Sequence, residues 1–500
     1  MGQMYYFWEI SAIVFYFVVL TMIGILSFRQ HNTKTSADFL IGGRGLNYWL
    51  TALAAHASDM SSWLFMAYPA VIYAAGLVNL WTALGLLVFM FLNWQLVAPK
   101  IRVATEQYNS LTFSSYFESR FADTSGWIRV ITGIMAIIFY TIYISAGLVG
   151  LGYLLEALFT LHYNWGILIG IFVVVPYVFI GGYTTLAWID LFQGIFLMCV
   201  IIFVPLYVMY ELGGWHQVSL AIQTKHLPLA LIPDWKPTTL ANILFMAAGW
   251  GLGYFGQPHI VTKFMGIKHV GEMSKSKWIG MSWMLISLTA ATLVGLVGIA
   301  FFQNFLLDDK EHLFTLMVRN TFHPFFVGLF LCAVLAATIN AMSSQVLVLS
   351  TSLTEDFYKR FFRRDASSKE LLLVSRLGIL FVAIISFLIA LGKFSTIYGL
   401  VLYAWSGLGS AFGPLLLLSL YSKNINRYCA WAGILVGGIV SASWPIFNEK
   451  FISETLQIPP LIPGFVLSFI MILVVSRFTR NKELKLLKKY DPQTTSSSFD

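Results

Sequence analysis

Long apolar segments recur along almost the whole chain and are separated by short polar stretches. A helix needs about 20 mainly apolar residues to cross the hydrocarbon core of a bilayer. Charged residues make up only 11% of the chain, against roughly 25% in soluble domains, so a soluble enzyme and a disordered scaffold are excluded. The segments are also unlike the short alternating strands of an outer-membrane barrel. We therefore predict an all-α polytopic membrane protein.

Thirteen transmembrane helices are predicted from these segments. The first follows a stretch without Lys or Arg, which favours a membrane span over a cleaved signal peptide. The predicted spans are about 6–28, 46–75, 78–97, 126–155, 164–181, 190–211, 240–262, 277–303, 321–350, 371–393, 397–420, 427–446 and 462–478.

The basic residues predict the orientation of the chain. All but six of the 31 Lys and Arg residues lie in one set of alternate loops and in the C-terminal tail. The six exceptions are Lys225, Lys236, Lys310, Arg319, Lys393 and Lys450. Because cytoplasmic loops carry the excess of basic residues, we expect an integral protein of the cytoplasmic (inner) membrane, with the N-terminus outside and the C-terminus in the cytoplasm.

Two spans carry sequences that a continuous lipid-facing helix would not favour. The second contains AAHASDMSSW at 54–63, and the seventh contains GWGLGYFGQPH at 249–259. Unwound backbone at membrane depth is tolerated only where it is buried in protein or lines a cavity. Two interrupted spans in corresponding positions of two halves are typical of an inverted-repeat transporter with its site at the midplane.

The breaks suggest five units along the chain. A first span with its cytoplasmic loop precedes a first inverted repeat, and a second inverted repeat follows with its leading extracellular loop. Two accessory spans and a basic, Ser/Thr-rich cytoplasmic tail complete the chain. The expected boundaries are 1–45, 46–211, 212–420, 421–480 and 481–500.

Asp59 is a carboxylate predicted to lie deep inside a span. An isolated charge there costs at least about 2.5–3.5 kcal/mol on insertion scales. A cation or substrate-ammonium site is therefore favoured over a carboxylate satisfied only by neighbouring hydroxyls. Broken helices also offer free N–H groups to a carboxylate and free carbonyls to Na⁺, which suits an amino-acid zwitterion. Trp250 and Tyr254 are four residues apart, so they would face the same side of a helix. They form either a box around the substrate or an ordinary packing pair.

Six stretches of the sequence resemble the sodium:solute symporter family, and within it the bacterial sodium/proline symporters. They are ADFLIGGRGL, AAHASDMSSWLFMAYPA, FYTIYISAG, FIGGYTTLAWIDLFQG, GWGLGYFGQPHI and LTEDFYKR. The resemblance runs from about residue 5 to 480. It implies a LeuT-like 5+5 inverted repeat with two broken helices. It also implies import of a small amino acid, with proline favoured, coupled to the sodium gradient by alternating access.

The resemblance also implies roles for individual residues. Asp59 matches the aspartate essential for sodium-dependent transport, and Ser61 matches a serine tied to substrate and sodium affinity. Asp190 matches a family aspartate near the cytoplasmic side, although a carboxylate favoured by a helix dipole explains it equally well. The other positions that match substrate-binding residues are Tyr143, Trp250, Tyr254 and Pro258. The sodium site implied by the family comprises Ala57, Asp59, Met60, Ala337 and Asn340.

The chain departs from the family where the coupling ion binds. An adjacent Ser-Thr pair in the family is replaced by Asn340 and Ala341, so the oxygen shell for sodium is thinner, although Ser343 and Ser344 lie one turn further on. His56, three residues before Asp59, offers proton coupling as an alternative. Two family glycines are also changed, to Ser62 and Ala67. The exact substrate and the coupling ion are thus left open by the residues, with sodium favoured.

Other functions are less well supported. A sensor on a transport scaffold would need a signalling domain, and no such segment follows the last span. A membrane enzyme is disfavoured because the sequence contains no metal-ligand spacing, no nucleophile elbow and no phosphate-binding loop. The expected partners are a small zwitterionic substrate and the lipid bilayer, with no nucleic acid and no cofactor besides the coupling ion.

Overall fold

The computed structural model describes residues 2–30, 42–159, 161–180, 183–303, 307–363, 365–452 and 457–490. Parts of the predicted first loop (31–41) and of the tail (491–500) lie outside these ranges. Within them the chain is almost entirely helical. The α-helices, numbered α1 to α19 in chain order, are Gly2–Gln30, Tyr48–Ala57, Tyr68–Ala75, Leu80–Leu92, Ala98–Gln107, Phe113–Arg120, Trp127–Phe159, Tyr163–Ile180, Tyr183–Glu211, Trp215–Thr224, Pro237–Gly251, Pro258–Met265, Met273–Phe301, Leu313–Thr321, Pro324–Thr351, Ser368–Leu391, Ile397–Tyr421, Arg427–Phe451 and Leu461–Tyr490.

The helices follow the predicted apolar segments. Each predicted segment coincides with one helix or with a pair of helices. Among the described residues, ten helices are long and apolar enough to cross a membrane, and two further apolar helices are shorter. Four short helices, α5, α6, α10 and α14, lie between the predicted spans, where the sequence indicated only loops. The figure of thirteen crossings remains a prediction.

The centre of the bundle is formed by α7, α15 and α17. Most of their side chains are buried, whereas those of α1 and α16 are mostly exposed on the outside of the bundle. Helix α7 packs against α15, α16 and α17, and α17 also packs against α18 and α19. The peripheral helices present an apolar surface suited to lipid.

The second predicted span is broken, as expected, between α2 and α3. Helix α2 ends at Ala57, and a π-helical segment, Trp63–Ala67, leads into α3. The hydroxyl of Ser58 donates to the Ala54 carbonyl at 2.6 Å. Short polar side chains that bond to the preceding turn compete with helix propagation, so the local SDMSS sequence accounts for the break.

The seventh predicted span is broken between α11 and α12 by a 3₁₀ turn, Leu252–Gly256. Helix α17 runs close along this turn. A Cβ atom on Gly256 would lie 2.7 Å from the carbonyl oxygen of Gly409. Only glycine allows two backbones to approach this closely, so Gly253 and Gly256 of the seventh span reflect packing against α17.

Helix α17 also satisfies polar groups that the second break releases. The indole N–H of Trp405 donates to the Trp250 carbonyl at 2.7 Å. The side-chain amide of Gln257 donates in turn to the Trp405 carbonyl at 3.0 Å. Backbone groups at membrane depth need such protein partners because lipid offers none.

One end of the bundle is joined by arginines, and we call it the basic face. Arg102 donates to the Ile267 carbonyl at 2.7 Å, and Arg120 donates to the carbonyl of Ser419 at 3.0 Å. An isolated β-bridge joins Leu46 to Ile267 at the same end. These contacts connect segments that belong to the two predicted repeats.

Candidate functional site

A small cavity lies where the two broken helices meet. The centre of a water molecule can occupy a volume of about 20 Å³ inside it. This is room for about one water molecule. The site is therefore closed around its side chains in this conformation. Its lining consists of Asp59, Met60, Trp63, Leu86, Tyr143, Trp250, Tyr254, Val401 and Trp405.

A hydrogen bond joins the two breaks across this cavity. The hydroxyl of Tyr254 donates to the Oδ2 atom of Asp59 at 2.6 Å. Both residues are buried. Hydrogen bonds to a carboxylate are among the strong ones in proteins, and a buried charge needs such a partner. The bond thus satisfies Asp59 and ties the first break to the second.

Aromatic side chains surround the carboxylate. The Trp250 ring lies 5.1 Å from the Trp63 ring and donates its indole N–H to the Tyr398 hydroxyl at 2.8 Å. Tyr254 meets the Trp405 ring edge to face at 5.1 Å. Faces of aromatic rings attract ammonium groups and pack on aliphatic rings. The cavity therefore combines one negative charge with an apolar box.

The structure brings together some of the predicted substrate residues and separates others. Tyr143, Trp250 and Tyr254 line the cavity with Asp59. The Ser61 hydroxyl instead accepts the Trp63 N–H at 3.3 Å, within the break. Pro258 lines a second cavity nearer the basic face. Trp63, Trp405 and Tyr398 were missed, because an aromatic residue in an apolar span carries no signal that separates a site from packing.

The predicted sodium residues lie at the end of α2, in the break that follows it and on the neighbouring helix α15. Ala57 ends α2, so its carbonyl lies in the last turn, where the next turn's amides are missing. Asn340 on α15 is fully buried, yet neither side-chain atom of its amide has a hydrogen-bond partner among the described residues. Such a buried amide is unusual, and its oxygen is free to contact a cation. Ala341 offers no side-chain oxygen.

The two serines after Asn340 have separate surroundings. The Ser343 hydroxyl donates to the Asn340 main-chain carbonyl at 3.0 Å. Ser344 lines the second cavity. Within the described ranges, no group of three or more His, Cys, Asp or Glu residues could hold a metal ion.

His56 does not face the Asp59 cavity. Its Nε2 atom accepts the indole N–H of Trp94 at 3.2 Å, and its ring lies 6.0 Å from the ring of Trp283. A Cβ atom on Gly280 would lie 2.4 Å from the imidazole. His56 and Asp59 do not share one helical face, because α2 ends between them at Ala57.

Asp190 forms a buried ion pair that the sequence did not reveal. Its Oδ2 atom lies 3.1 Å from the Lys263 ammonium, and both side chains are almost fully buried. Lys263 directly follows the predicted seventh span and was assigned to the next loop. The structure instead gives it to α12, inside the bundle. A buried pair of this kind satisfies both charges at once.

Comparison with known proteins identifies the wider group. A family model described as the sodium:solute symporter family matches residues 39–437. Sodium/proline symporter 2 of Staphylococcus saprophyticus is 40% identical over 476 residues, which cover 94% of this chain and 92% of that protein. The osmoregulated proline transporter OpuE of Bacillus subtilis is 37% identical, covering 94% of this chain and 95% of that protein.

Solved structures share the fold at low sequence identity. A Na⁺-coupled sialic acid symporter in a substrate-bound outward-open state has a TM-score of 0.76 at 18% identity, covering 95% of this chain and 98% of that chain. MHP1, a nucleobase-cation-symport-1 family transporter, has a TM-score of 0.57 at 14% identity, covering 93% and 98%. The helical architecture of this chain is thus shared with these two transporters.

The sequence relatives named above are a symporter and a transporter, not enzymes. The family model spans most of the chain, and it covers both breaks and every residue of the candidate site. This chain belongs to the sodium:solute symporter family.

Proposed function

We propose that this protein imports a small zwitterionic amino acid, with proline favoured, by coupling it to the sodium gradient in an alternating-access cycle. Relatives that cover more than nine-tenths of the chain are named as proline transporters or sodium/proline symporters. The proposal extends that substrate and that ion to this chain.

The observation that carries the proposal is the Tyr254–Asp59 hydrogen bond inside an aromatic cavity. A substrate ammonium would be attracted to the Asp59 carboxylate, and the pyrrolidine ring of proline would pack on Trp250 and Trp63. The substrate carboxylate would face the free amides at the second break, since the N-termini of half-helices favour negative charge. Tyr143 and Tyr254 complete the walls.

Sodium would bind between α2 and α15. The carbonyls of Ala57, Met60 and Ala337 and the amide oxygen of Asn340 supply the ligands, with Asp59 contributing negative charge. A hard cation needs several oxygens, and Ala341 withholds one that the family pattern supplies. We therefore expect sodium to bind weakly, with half-saturation at millimolar or higher concentrations.

The proposed topology has thirteen spans with repeats at 46–211 and 212–420. The N-terminus is outside and the C-terminus is cytoplasmic, which makes the basic face the cytoplasmic one. This orientation follows from the distribution of Lys and Arg between the loops.

Uptake of radiolabelled proline into proteoliposomes tests the function. Uptake should concentrate proline when a Na⁺ gradient is imposed with the pH held equal on both sides, and an excess of unlabelled proline should compete. Saturable uptake of a sugar or a vitamin without competition by proline would contradict the proposed substrate. Uptake driven only by an inward proton gradient would replace sodium with the proton as the coupling ion.

A further inference from the structure

A second cavity lies between the candidate site and the basic face. It leaves about 40 Å³ for the centres of water molecules, enough for about three of them. Its lining includes Thr132 of α7, His259 and Lys263 of α12, and Ser344 of α15. The ring of Tyr143, which lines the first cavity, meets the ring of His259 edge to face at 6.0 Å. The two cavities are thus neighbours along one path.

We assign the ring proton of His259 from its hydrogen bonds. The Tyr140 hydroxyl accepts the main-chain N–H of His259 at 3.0 Å and lies 3.2 Å from its Nδ1 atom. Because the hydroxyl already accepts one hydrogen bond, donating its own proton to Nδ1 satisfies both groups. The proton of the neutral ring then sits on Nε2. That atom is fully buried and has no hydrogen-bond partner among the described residues.

Two further polar groups of the cavity can donate a hydrogen bond to an anion. Lys263 lines the cavity, and its ammonium forms an ion pair with Asp190 at 3.1 Å. The Thr132 hydroxyl is buried and, within the described ranges, also has no hydrogen-bond partner. An N–H donor, a hydroxyl and an ammonium suit a carboxylate, because each can donate to it. A sodium ion would face the ammonium and the imidazole N–H unfavourably.

A buried carboxylate beside this cavity is shared between segments. Asp356, itself fully buried, accepts hydrogen bonds from Ser114 and from Ser352. Both serines line the cavity. Arg129 lies 3.5 Å from the other oxygen of Asp356. We expect these contacts to part when the substrate is released toward the basic face.

We propose that the second cavity is a release station, in which the carboxylate of the departing amino acid accepts the Nε2–H of His259 beside the Lys263 ammonium. The station rests on the proposed function, because its ligand is the transported zwitterion. It gives the substrate a second set of donors after it leaves the amides of the broken helix and before the Asp356 contacts open.

Two substitutions of His259 distinguish a hydrogen bond from Nε2 to the substrate from the hydrogen bond between Nδ1 and Tyr140. His259→Asn keeps an acceptor near the Nδ1 position but removes the Nε2–H donor. His259→Gln reaches the Nε2 position with an N–H donor but loses the acceptor for Tyr140. Both variants lose the ring equally. A structural role predicts that Asn is tolerated better than Gln, whereas a carboxylate site predicts the opposite order.

The measurement is proline exchange at equal Na⁺ on both sides, in right-side-out and in inverted membrane vesicles. The half-saturating proline concentration on the cytoplasmic side should be about tenfold higher in His259→Asn than in His259→Gln, the effect of one lost hydrogen bond to a charged group. On the outer side the two variants should match each other. Equal values on the cytoplasmic side, or a higher value for His259→Gln, would overturn the station.

Two further experiments identify the ligand of the second cavity. Prolinamide lacks the carboxylate, so its inhibition constant on the cytoplasmic side should be the same in both variants. Replacing chloride with gluconate should leave the difference in proline affinity intact, and loss of the difference would assign the cavity to a free anion instead. Proline exchange by the wild type with no difference between the variants refutes only the station, whereas no exchange by the wild type refutes the proposed function as well.

Discussion

The hydroxyl of Tyr254 donates to the carboxylate of Asp59 over 2.6 Å, although the two residues are 195 positions apart in the chain. Asp59 lies in the break between α2 and α3, and Tyr254 lies in the break between α11 and α12. The bond connects the two breaks, so a substitution of either residue is expected to affect the other break as well.

Replacing Asp59 with Asn should reduce proline uptake by about 100-fold, since hydrogen bonds and ion pairs to a charged group are worth about 1.5–3 kcal/mol. The amount of protein in the membrane should not fall, because a neutral amide is easier to bury than a charge. Initial uptake rates normalised to protein in the membrane provide the measurement. Tyr254→Phe is the matched variant, and it should raise the Km with a smaller loss of rate. Near-normal uptake by Asp59→Asn would assign Asp59 a purely structural role.

Trp250 and Tyr398 should be coupled in a double-mutant cycle. Trp250→Phe and Tyr398→Phe each remove the same N–H···O bond of 2.8 Å while keeping an aromatic ring. The efficiency of transport, expressed as a free energy, should therefore fall in the double variant by about 0.5–1.5 kcal/mol less than the sum of its falls in the two single variants. Trp250→Ala should raise the Km further, because the apolar wall is lost as well. Additive effects would mean that the bond does not position Trp250.

Restoring the hydroxyl pair should strengthen sodium binding. Asn340→Ser combined with Ala341→Thr adds oxygens to a thin ligand shell, so the Na⁺ concentration for half-maximal uptake should fall by about tenfold.

His56→Gln keeps an acceptor for the Trp94 indole and removes the titratable ring, so uptake driven by Na⁺ should remain with an unchanged pH profile. Uptake that is indifferent to Na⁺, driven by protons and lost in His56→Gln, would support proton coupling.

Gly256 should not accept a side chain. A Cβ atom there would lie 2.7 Å from both the Gly409 carbonyl oxygen and the Gly413 nitrogen, and neither backbone can move away easily. We expect Gly256→Ala to lower the midpoint of thermal unfolding in detergent by several degrees, consistent with an overpacking cost of about 1–3 kcal/mol. Gly271→Ala is the control, because no atom lies within 4 Å of its added Cβ. Equal stability of the two variants would refute close backbone contact between the second break and α17.

Glu311 should make stability depend on pH. It lies in the short helical turn Lys310–His312, and its carboxylate accepts the N–H groups of Ile397 and Tyr398 at the start of α17. Burial raises the pKa of Glu311 from 4.5 to about 7, although the two amide donors oppose this shift. The folded protein therefore holds this proton up to about pH 7, whereas the unfolded chain releases it near pH 4.5.

The contribution of protonated Glu311 to stability is complete below about pH 4.5 and is lost as the pH rises through about 7. Between these values the wild type should lose on the order of 2 kcal/mol relative to Glu311→Gln. Thermal unfolding of both proteins from pH 5 to 8 measures the difference in slope. The variant accepts only one of the two amides, so its absolute stability is expected to be lower, and parallel pH profiles would contradict the raised pKa.

Much of the fold could be predicted because its signals are local. The apolar segments, the polar SDMSS stretch and the glycines around Tyr254 each report on their own few residues, and a bilayer makes such signals strict. They correctly predicted a helical membrane protein with breaks in the second and seventh spans. Asp59, Trp250, Tyr254 and Tyr143 also stand out by chemistry or by resemblance, and they line one cavity.

The sequence by itself determined which segments form long apolar helices, where the helices break and which carboxylate lies at the first break. Only the tertiary structure decided what each buried polar group faces. It separates His56 from Asp59, pairs Lys263 with Asp190 and turns His259 toward a second cavity. The physical reason is that hydrophobic patterning is read along one helix, whereas hydrogen bonds and ion pairs join residues on different helices, at distances in sequence that no local pattern records.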